Sequence, residues 1–518
     1  MGFYEYGAFT SLVNIRELDL SYNRFNFVTK HMFTNLLKLK YLNLAGNLLS
    51  VVSMIAFAEA KSLSGLSLYG SGIATLNFNI RSTIQSLDLR GNAFNLTAEM
   101  EPFSTTPDLS VLRIGHPNLT YYSRTFTGAS QLKELVLENY NPPSLSMDVL
   151  VPVAPTLENL SVVKGDVESV HLQRLPSLVK FSLFNLPRLT RIFLSSAVIS
   201  DINSLRLQNL PALRNLTLDK LPLSHLDISF LNGSMGVTNF RFSLGGLANL
   251  QPSYLKCVPD AKSVDLSFNR ITFVEPNSIA KLRLLAVLDL TGNLLSRVEN
   301  SFLVSESLSE LILSKNFISA VEKSAFARLP RLRKVDLSSN EIAAIGRVDS
   351  TSLATVNLAS NPWHCDCKLM KVFRNITSYS HSCSAKPTPI MKCFKCAQPT
   401  RLLGKSFAQL TEYCEMVDGR SRKSDEAPHV ANAKLIVVVA VAGALLLLLL
   451  LALVLWKVVR RKRPVSASFS NQSNQAADGS TVDTVTYARV PEETLGSDTQ
   501  CDSVALKSPD SAALEPML

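Results

Sequence analysis

Six cysteines crowd one stretch of the chain: Cys365, Cys367, Cys383, Cys393, Cys396 and Cys414. Thiols this dense either pair as disulfides or hold a metal as thiolates. The Cys393-Phe394-Lys395-Cys396 spacing would suit zinc, whereas an oxidising location favours disulfides, and their number alone leaves the connectivity open. Amide chemistry comes next. Sequons of the N-x-S/T type stand at Asn95, Asn118, Asn159, Asn215, Asn232 and Asn375, with one more at Asn471. A third chemistry is phosphorylation of Tyr487 in Val485-Thr486-Tyr487-Ala488-Arg489-Val490, which would put a charge of about −2 on the segment. Catalysis has no such support. The seven histidines are scattered, and there is no H-E-x-x-H, no G-x-S-x-G and no phosphate loop. No enzyme, resident metal or cofactor is expected. Cys257, between Leu255 and Val258, reads as an apolar filler, and Cys501 is uninformative.

The segment from Leu435 to Trp456 decides which of these chemistries are available. It is 22 residues without a charge, enough to cross a hydrocarbon core of roughly 30 Å. Lys457, Arg460, Arg461, Lys462 and Arg463 follow at once, so that end is expected in the cytoplasm and the N-terminal part outside. The outside location favours disulfides and glycosylation, and leaves Asn471 bare. Residues 415–434 read as a polar stalk. Residues 457–518, with only Phe469 and Tyr487 as aromatics, read as a disordered tail. That tail carries seven Lys/Arg and eight Asp/Glu, so the net charge of +10 lies elsewhere. A mildly basic outer part could attract lipids, glycans or nucleic acid, a plain solvated surface being the simpler reading.

The outer part is built from one repeating sentence. Val264-Asp265-Leu266-Ser267-Phe268-Asn269 returns as Leu288-Asp289-Leu290-Thr291-Gly292-Asn293, as Leu311-Ile312-Leu313-Ser314-Lys315-Asn316 and as Val335-Asp336-Leu337-Ser338-Ser339-Asn340, 23 or 24 residues apart. This is L-x-x-L-x-L-x-x-N, the leucine-rich-repeat signature. It predicts an α/β solenoid, a horseshoe with a parallel concave sheet, over residues 1–360. Strands are expected to start at Ile15, Leu39, Leu63, Ile84, Leu109, Leu132, Leu157, Leu178, Ile202, Leu213, Val237, Ala261, Leu285, Leu308, Leu332 and Leu353. The first, fourth and sixth residues of each should face the core. The Asn slot holds Asn23, Asn47 and Asn92 early, and Asn269, Asn293, Asn316, Asn340 and Asn361 late, forming an interior polar ladder. In the middle it holds Pro117, Tyr140, Gly165, Leu186, Leu210 and Gly245. Ile202 and Leu213 are 11 residues apart, too close for a repeat, so one of them is expected on the convex side. That gives about 14 or 15 strands and an irregular, flatter central arc. Phe33, Phe57, Phe302 and Phe326 sit 17 or 18 residues after their repeat starts, and Phe9 fills that slot of a turn whose strand would precede Met1. The expectation is therefore that the chain begins within a stack, without its signal segment and N-terminal cap.

Outward-facing strand residues are the candidates for binding. Asn159 and Asn215 lie on strands, where a glycan would block a partner at mid-solenoid. The run from Ala261 to Leu358 has no sequon, and its outward candidates are Lys262, Ser263, Asp265, Asp289, Glu310, Arg333, Lys334 and Asp336. A ligand is expected there, or on a side or convex face in the middle. An ordinary solvated sheet face is the bland alternative.

Two resemblances add to this. The module from Asn361-Pro362-Trp363-His364-Cys365-Asp366-Cys367 to Cys414 resembles the leucine-rich-repeat C-terminal cap, residues 361–414. That resemblance implies the pairs Cys365–Cys396 and Cys367–Cys414, with Cys383 and Cys393 left for a third bridge. Residues 1 to about 460 together resemble a Toll-like receptor ectodomain. The departure is the C-terminal segment. Only 62 residues follow Trp456, so the cytoplasmic TIR domain of that family is not expected. The Tyr487 hexapeptide matches the immunoreceptor tyrosine-based inhibitory pattern and implies a phosphotyrosine-binding phosphatase or kinase as partner, drawn in by Val485 and Val490. It also matches a tyrosine-based endocytic signal. A single tail tyrosine would require a receptor dimer for docking proteins that take two. The chain thus reads as a cell-membrane receptor for an extracellular protein, lipid or glycan, with inhibitory signalling. An adhesion, ligand-presenting or decoy co-receptor protein is the alternative.

Overall fold

The computed structural model describes residues 8–417, apart from 78–80, 227, 232–233, 235, 257, 347–351, 375–394 and 407. The segment 435–456 lies outside the described residues, as does the whole tail. Among the described residues, no helix is long and apolar enough to cross a membrane.

Each turn of the chain has the same problem. Its leucines have to reach an apolar interior, yet they bring with them backbone N–H and C=O groups that cannot stay unbonded there. The strands solve half of it. All sixteen expected starts lead into a short parallel strand, as in Tyr41–Asn43, Ser263–Asp265 or Lys334–Asp336. The fourth and sixth residues of the motif are buried in every turn except the first, where Leu20 is half-buried; Leu42, Leu44, Leu288 and Leu290 are 0% exposed. Stacking on the next turn satisfies the strand backbone. The return segments are short 3-10 turns and irregular chain with little α-helix, such as Lys30–Phe33 and Met54–Phe57.

The Asn slot solves the other half. Asn316 Nδ2 donates to Leu313 O of its own turn (3.0 Å) and Leu290 O of the preceding one (3.0 Å), and its Oδ1 accepts from Leu295 N (3.1 Å). Asn47, Asn92, Asn269, Asn293, Asn340 and Asn361 repeat this bridge, all of them buried. Asn23, on the first described turn, is exposed and bonds only within its own turn.

The middle uses a different solution. The main strands form two sheets, not one. A nine-stranded sheet runs from Glu17–Asp19 through Glu134–Glu138, Asn159–Val163 and Lys180–Phe184 to Leu205–Gln208. A ten-stranded sheet starts at Ser144–Ser146 and runs through Ser169–Leu175, Arg191–Ala197 and Asn215–Asp219 to Thr355–Asn357. From residue 134 to 219 every turn contributes one strand to each. The expectation that Ile202 or Leu213 is a convex segment is therefore corrected: both precede strands, one closing the first sheet and one continuing the second. Three strands had gone unread, although Val167-Glu168-Ser169-Val170-His171-Leu172 and Leu189-Thr190-Arg191-Ile192-Phe193-Leu194 carry the same apolar spacing in a second phase.

This handover explains the missing asparagines at Tyr140, Gly165, Leu186 and Leu210. Where both halves of a turn are strands, the neighbours bond both backbones and no amide is needed inside. Leu175, Leu186 and Leu210 fill the interior, each 0% exposed. Tyr140, in the Asn slot, donates its hydroxyl to Ser144 O (3.0 Å) at the first strand of the new sheet and stacks on Tyr121 (ring centroids 5.1 Å). Gly165 follows because a Cβ there would come within 2.1 Å of Tyr140 O.

A disulfide joins Cys365 to Cys396, and Cys367 and Cys414 are also disulfide-bonded. Cys257, Cys383 and Cys393 lie outside the described residues. Around that bridge, Trp363–His364 pairs with Cys396–Gln398, and buried Trp363, Leu369, Met370 and Leu402 cover the last turn. Residues 411–417, in a separate unit, are helical.

Asn316→Ala is expected to cost about 1–3 kcal/mol, because it leaves Leu295 N–H unbonded in the interior, while Leu290 O and Leu313 O keep their bonds from Asn293 Nδ2 and Asn340 Nδ2. Lys38→Ala, which removes an exposed bond to Asn14 Oδ1, should stay within about 0.5 kcal/mol. Thermal unfolding with amide exchange across residues 290–320 checks both.

Candidate ligand-binding face

In the second sheet, the parallel register lines side chains into rows across the strands, with neighbours in a row about 4.8 Å apart. One outward row runs Ser146, His171, Phe193, Thr217, Arg241, Asp265, Asp289, Ile312, Asp336, Asn357. The neighbouring row runs Asn215, Asn239, Ser263, Val287, Glu310, Lys334, Thr355. The sequence candidates Ser263, Asp265, Asp289, Glu310, Lys334 and Asp336 thus share one surface. Lys262 and Arg333 precede their strands and are exposed at its margin.

Much of this charge already has structural work. Asp265 Oδ1 accepts from Ser267 N (2.9 Å), Asp289 from Thr291 N (2.8 Å) and Asp336 from Ser338 N (2.8 Å). Asp19, Asn43, Asp88 and Asn357 cap the strand exit at the same slot in other turns. The remaining capacity is partly used: Asp336 Oδ2 accepts from Asn357 Nδ2 (2.9 Å), and Lys334 pairs with Glu310 (2.5 Å). Arg241 bridges Asp219 and Asp265 at 3.1 Å each. Burial pushes the Asp289 carboxyl up, and the adjacent Asp265 charge adds to this, while the Thr291 bonds and Arg241 oppose it. The result is a locally anionic strip on a chain of net charge +10.

Arg241 was missed because it precedes the run searched for candidates, although it occupies the outward slot of Phe240-Arg241-Phe242. His171 and Phe193, stacked flat at 4.4 Å between ring centroids, were missed with their unread strands. The sequons also move. Asn159 lies in the first sheet and Asn215 in the second, so the reading that places both on one concave sheet is corrected. Asn95 and Asn118 are exposed just beyond strands of the first sheet. Asn215 Oδ1 accepts from Asn239 Nδ2 (2.6 Å). Asn232 and Asn375 are outside the described residues.

The leucine rich repeat family profile matches residues 8–73 and 306–362, both within the parts where the asparagine ladder runs. The fold is a leucine-rich-repeat solenoid. The chain is 30% identical to Toll-like receptor 9 of Mus musculus over 36% of this chain and 18% of that protein. It is 34% identical to Leucine-rich repeat-containing protein 3 of Danio rerio over 23% of this chain and 36% of that one. Each match therefore spans well under half of the relative. Among solved structures, the Toll–Spatzle complex of Drosophila matches at 17% identity and a TM-score of 0.32, over 78% of this chain and 58% of that one. The family profile and the two relatives are thus similar to parts of this chain only.

Asp289→Asn should leave the strand-exit bond intact, since Asn43 and Asn357 make it elsewhere. A carboxyl held above its ordinary value stabilises the fold only while protonated, and that contribution is lost as pH rises through the raised pKa. The substitution is therefore expected to stabilise the fold at pH 7 by less than about 1 kcal/mol after solvent screening, and so to raise the melting temperature. At pH 3, below the ordinary carboxylate value of about 4, the gain should vanish. Melting curves at both values check it.

Proposed function

We propose that this leucine-rich-repeat protein is a single-pass cell-surface receptor whose second sheet, from Ser263 to Asn357, binds an extracellular protein. The observation that carries the reading is the distribution of sequons. Asn95, Asn118 and Asn159 belong to the half built on the first sheet, and Asn215 to the start of the second. The sheet from Ser263–Asp265 to Thr355–Asn357 has no sequon and presents a long ordered surface. Its anionic row favours a partner surface rich in donors or cations around the Asp265–Asp289 pair. Arg241, Glu310, Lys334 and Asp336 add charge within the rows, and Lys262 and Arg333 at the margin.

The apolar 435–456 segment would anchor the receptor as a type I protein, and glycans on the six outer sequons would shield the rest. Inside, phosphorylated Tyr487 would recruit a phosphotyrosine-binding phosphatase, with Val485 and Val490 filling flanking pockets, so that the receptor dampens signalling. The similarity to Toll-like receptors supports a place among innate-immune receptors.

The test is a pulldown from cell lysate with a 480–496 peptide, with and without phosphate on Tyr487. A phosphatase or kinase captured only by the phosphopeptide supports signalling. Capture of adaptor proteins by the unphosphorylated peptide points to the sorting address, and capture of neither leaves an adhesion or ligand-presenting protein. The binding face is tested separately. Val287→Asn with Asp289→Thr creates a sequon in its centre, and the added glycan is expected to abolish binding of the chain to cells that carry its partner.

A further inference from the structure

Several cations that lead into strands of the earlier turns are committed to the scaffold. Lys38 donates to Asn14 Oδ1 (2.8 Å), Lys133 pairs with Glu158 (3.0 Å) and Arg188 with Glu168 (3.9 Å). Arg214 Nη1 donates to Pro211 O (3.1 Å) and Leu213 O (3.0 Å). In the last turns this changes. Lys262, Arg283, Arg328, Arg331 and Arg333 lie in the chain leading into Ser263–Asp265, Val287–Asp289 and Lys334–Asp336. All five are exposed, and among the described residues none has an ion-pair or side-chain hydrogen-bond partner. Asp260 and Glu306 are exposed nearby and pair with none of them.

The arrangement is extended. Arg328-Leu329-Pro330-Arg331-Leu332-Arg333-Lys334 places four cations in seven residues, a density suited to a polyanion. Three strand steps separate the turn of Lys262 from that of Arg333, so the cations span about 14 Å. A single small anion reaches one or two of them, whereas a chain of anionic groups reaches the row. Single-stranded nucleic acid needs exposed rings on which its bases stack. The exposed Phe268, Phe273 and Phe317 follow their strands, and the large apolar side chain exposed beside the cations is the aliphatic Leu284. No sequon lies between 261 and 358, so no glycan of the chain's own covers this edge.

We infer that this edge binds a sulfated extracellular polysaccharide, its sulfates held by Lys262, Arg283, Arg328, Arg331 and Arg333 through charge-assisted bonds. The extracellular source of the ligand rests on the proposed outside placement of the repeats. The cationic edge itself does not, and it is distinct from the protein-binding rows.

A heparin dodecasaccharide is the probe, titrated by calorimetry into the full chain in zwitterionic nanodiscs at about 0.15 M salt. Saturable binding is expected, weaker at about 0.5 M salt and lost with the desulfated oligosaccharide. Arg283→Ala with Arg331→Ala should weaken it by about tenfold at an unchanged melting temperature. Lys38→Ala with Lys40→Ala removes the same charge from the first turns and should bind like the parent. The proposal is overturned if heparin does not bind, or if the two double variants weaken it alike, which is net charge only. It is also overturned if a single-stranded DNA dodecamer or phosphatidylserine vesicles bind as tightly. Protease protection of the repeats in sealed cells reads their placement separately, and a cytosolic result overturns the extracellular ligand even where heparin binds.

Discussion

A stack of turns stands or falls on whether the backbone inside it is hydrogen-bonded. Apolar side chains draw each turn inward, but an unbonded interior N–H or C=O costs on the order of 1–3 kcal/mol, comparable to the gain from burying one leucine. This chain meets the constraint in two ways. Toward both ends an asparagine in most turns bridges two carbonyls and an N–H across neighbouring turns, with Ser71 in its place in one turn and Asn23 bonding only within the first. Between residues 134 and 219 a second strand does the same work by pairing, and the interior turns wholly apolar. The change from one device to the other accounts for the loss of asparagine, for Tyr140 and Gly165 in its slot, and for the transfer of the long sheet from one side of the solenoid to the other.

That transfer organises the surface. Strand faces that a single arc would place together lie on two sheets, and Asn159 and Asn215 are separated by it. The later sheet is free of sequons beyond its first strands, and its charge is tied into the scaffold. The aspartates that form its anionic row also close the strand exits, so the chemistry offered to a partner is a by-product of how each strand ends. A ligand meeting this face finds carboxylates already oriented by the backbone, with Arg241 holding two of them in place. Orientation of this kind lowers the entropy lost on binding.

Legibility followed local regularity. All sixteen expected strands are present because the L-x-x-L-x-L spacing is a short-range pattern with one solution in a stacked turn. The asparagine ladder was equally readable, since amides at a fixed interval in an apolar context have few other uses. The three strands around Leu145, Val170 and Ile192 escaped because their motif is out of phase with the first, and one phase was assumed to exclude the other. The 11-residue interval between Ile202 and Leu213 was the visible trace of that second phase. Read as an error in one position, it was in fact the point where the two sheets overlap. Arg241 and the His171–Phe193 stack escaped for the same reason, since their places on the face follow from strand register.

By itself the sequence determined the repeating turn, the inward residues, the polar ladder and the cysteine-rich end, because each depends on neighbours less than one turn or one repeat away. Only the tertiary structure decided which sheet each strand joins, which sequons share a face and which carboxylates are committed to turns. Those depend on contacts between residues one or more repeats apart, such as Asp219 with Arg241 or Asp336 with Asn357, and spacing along a single turn does not encode them.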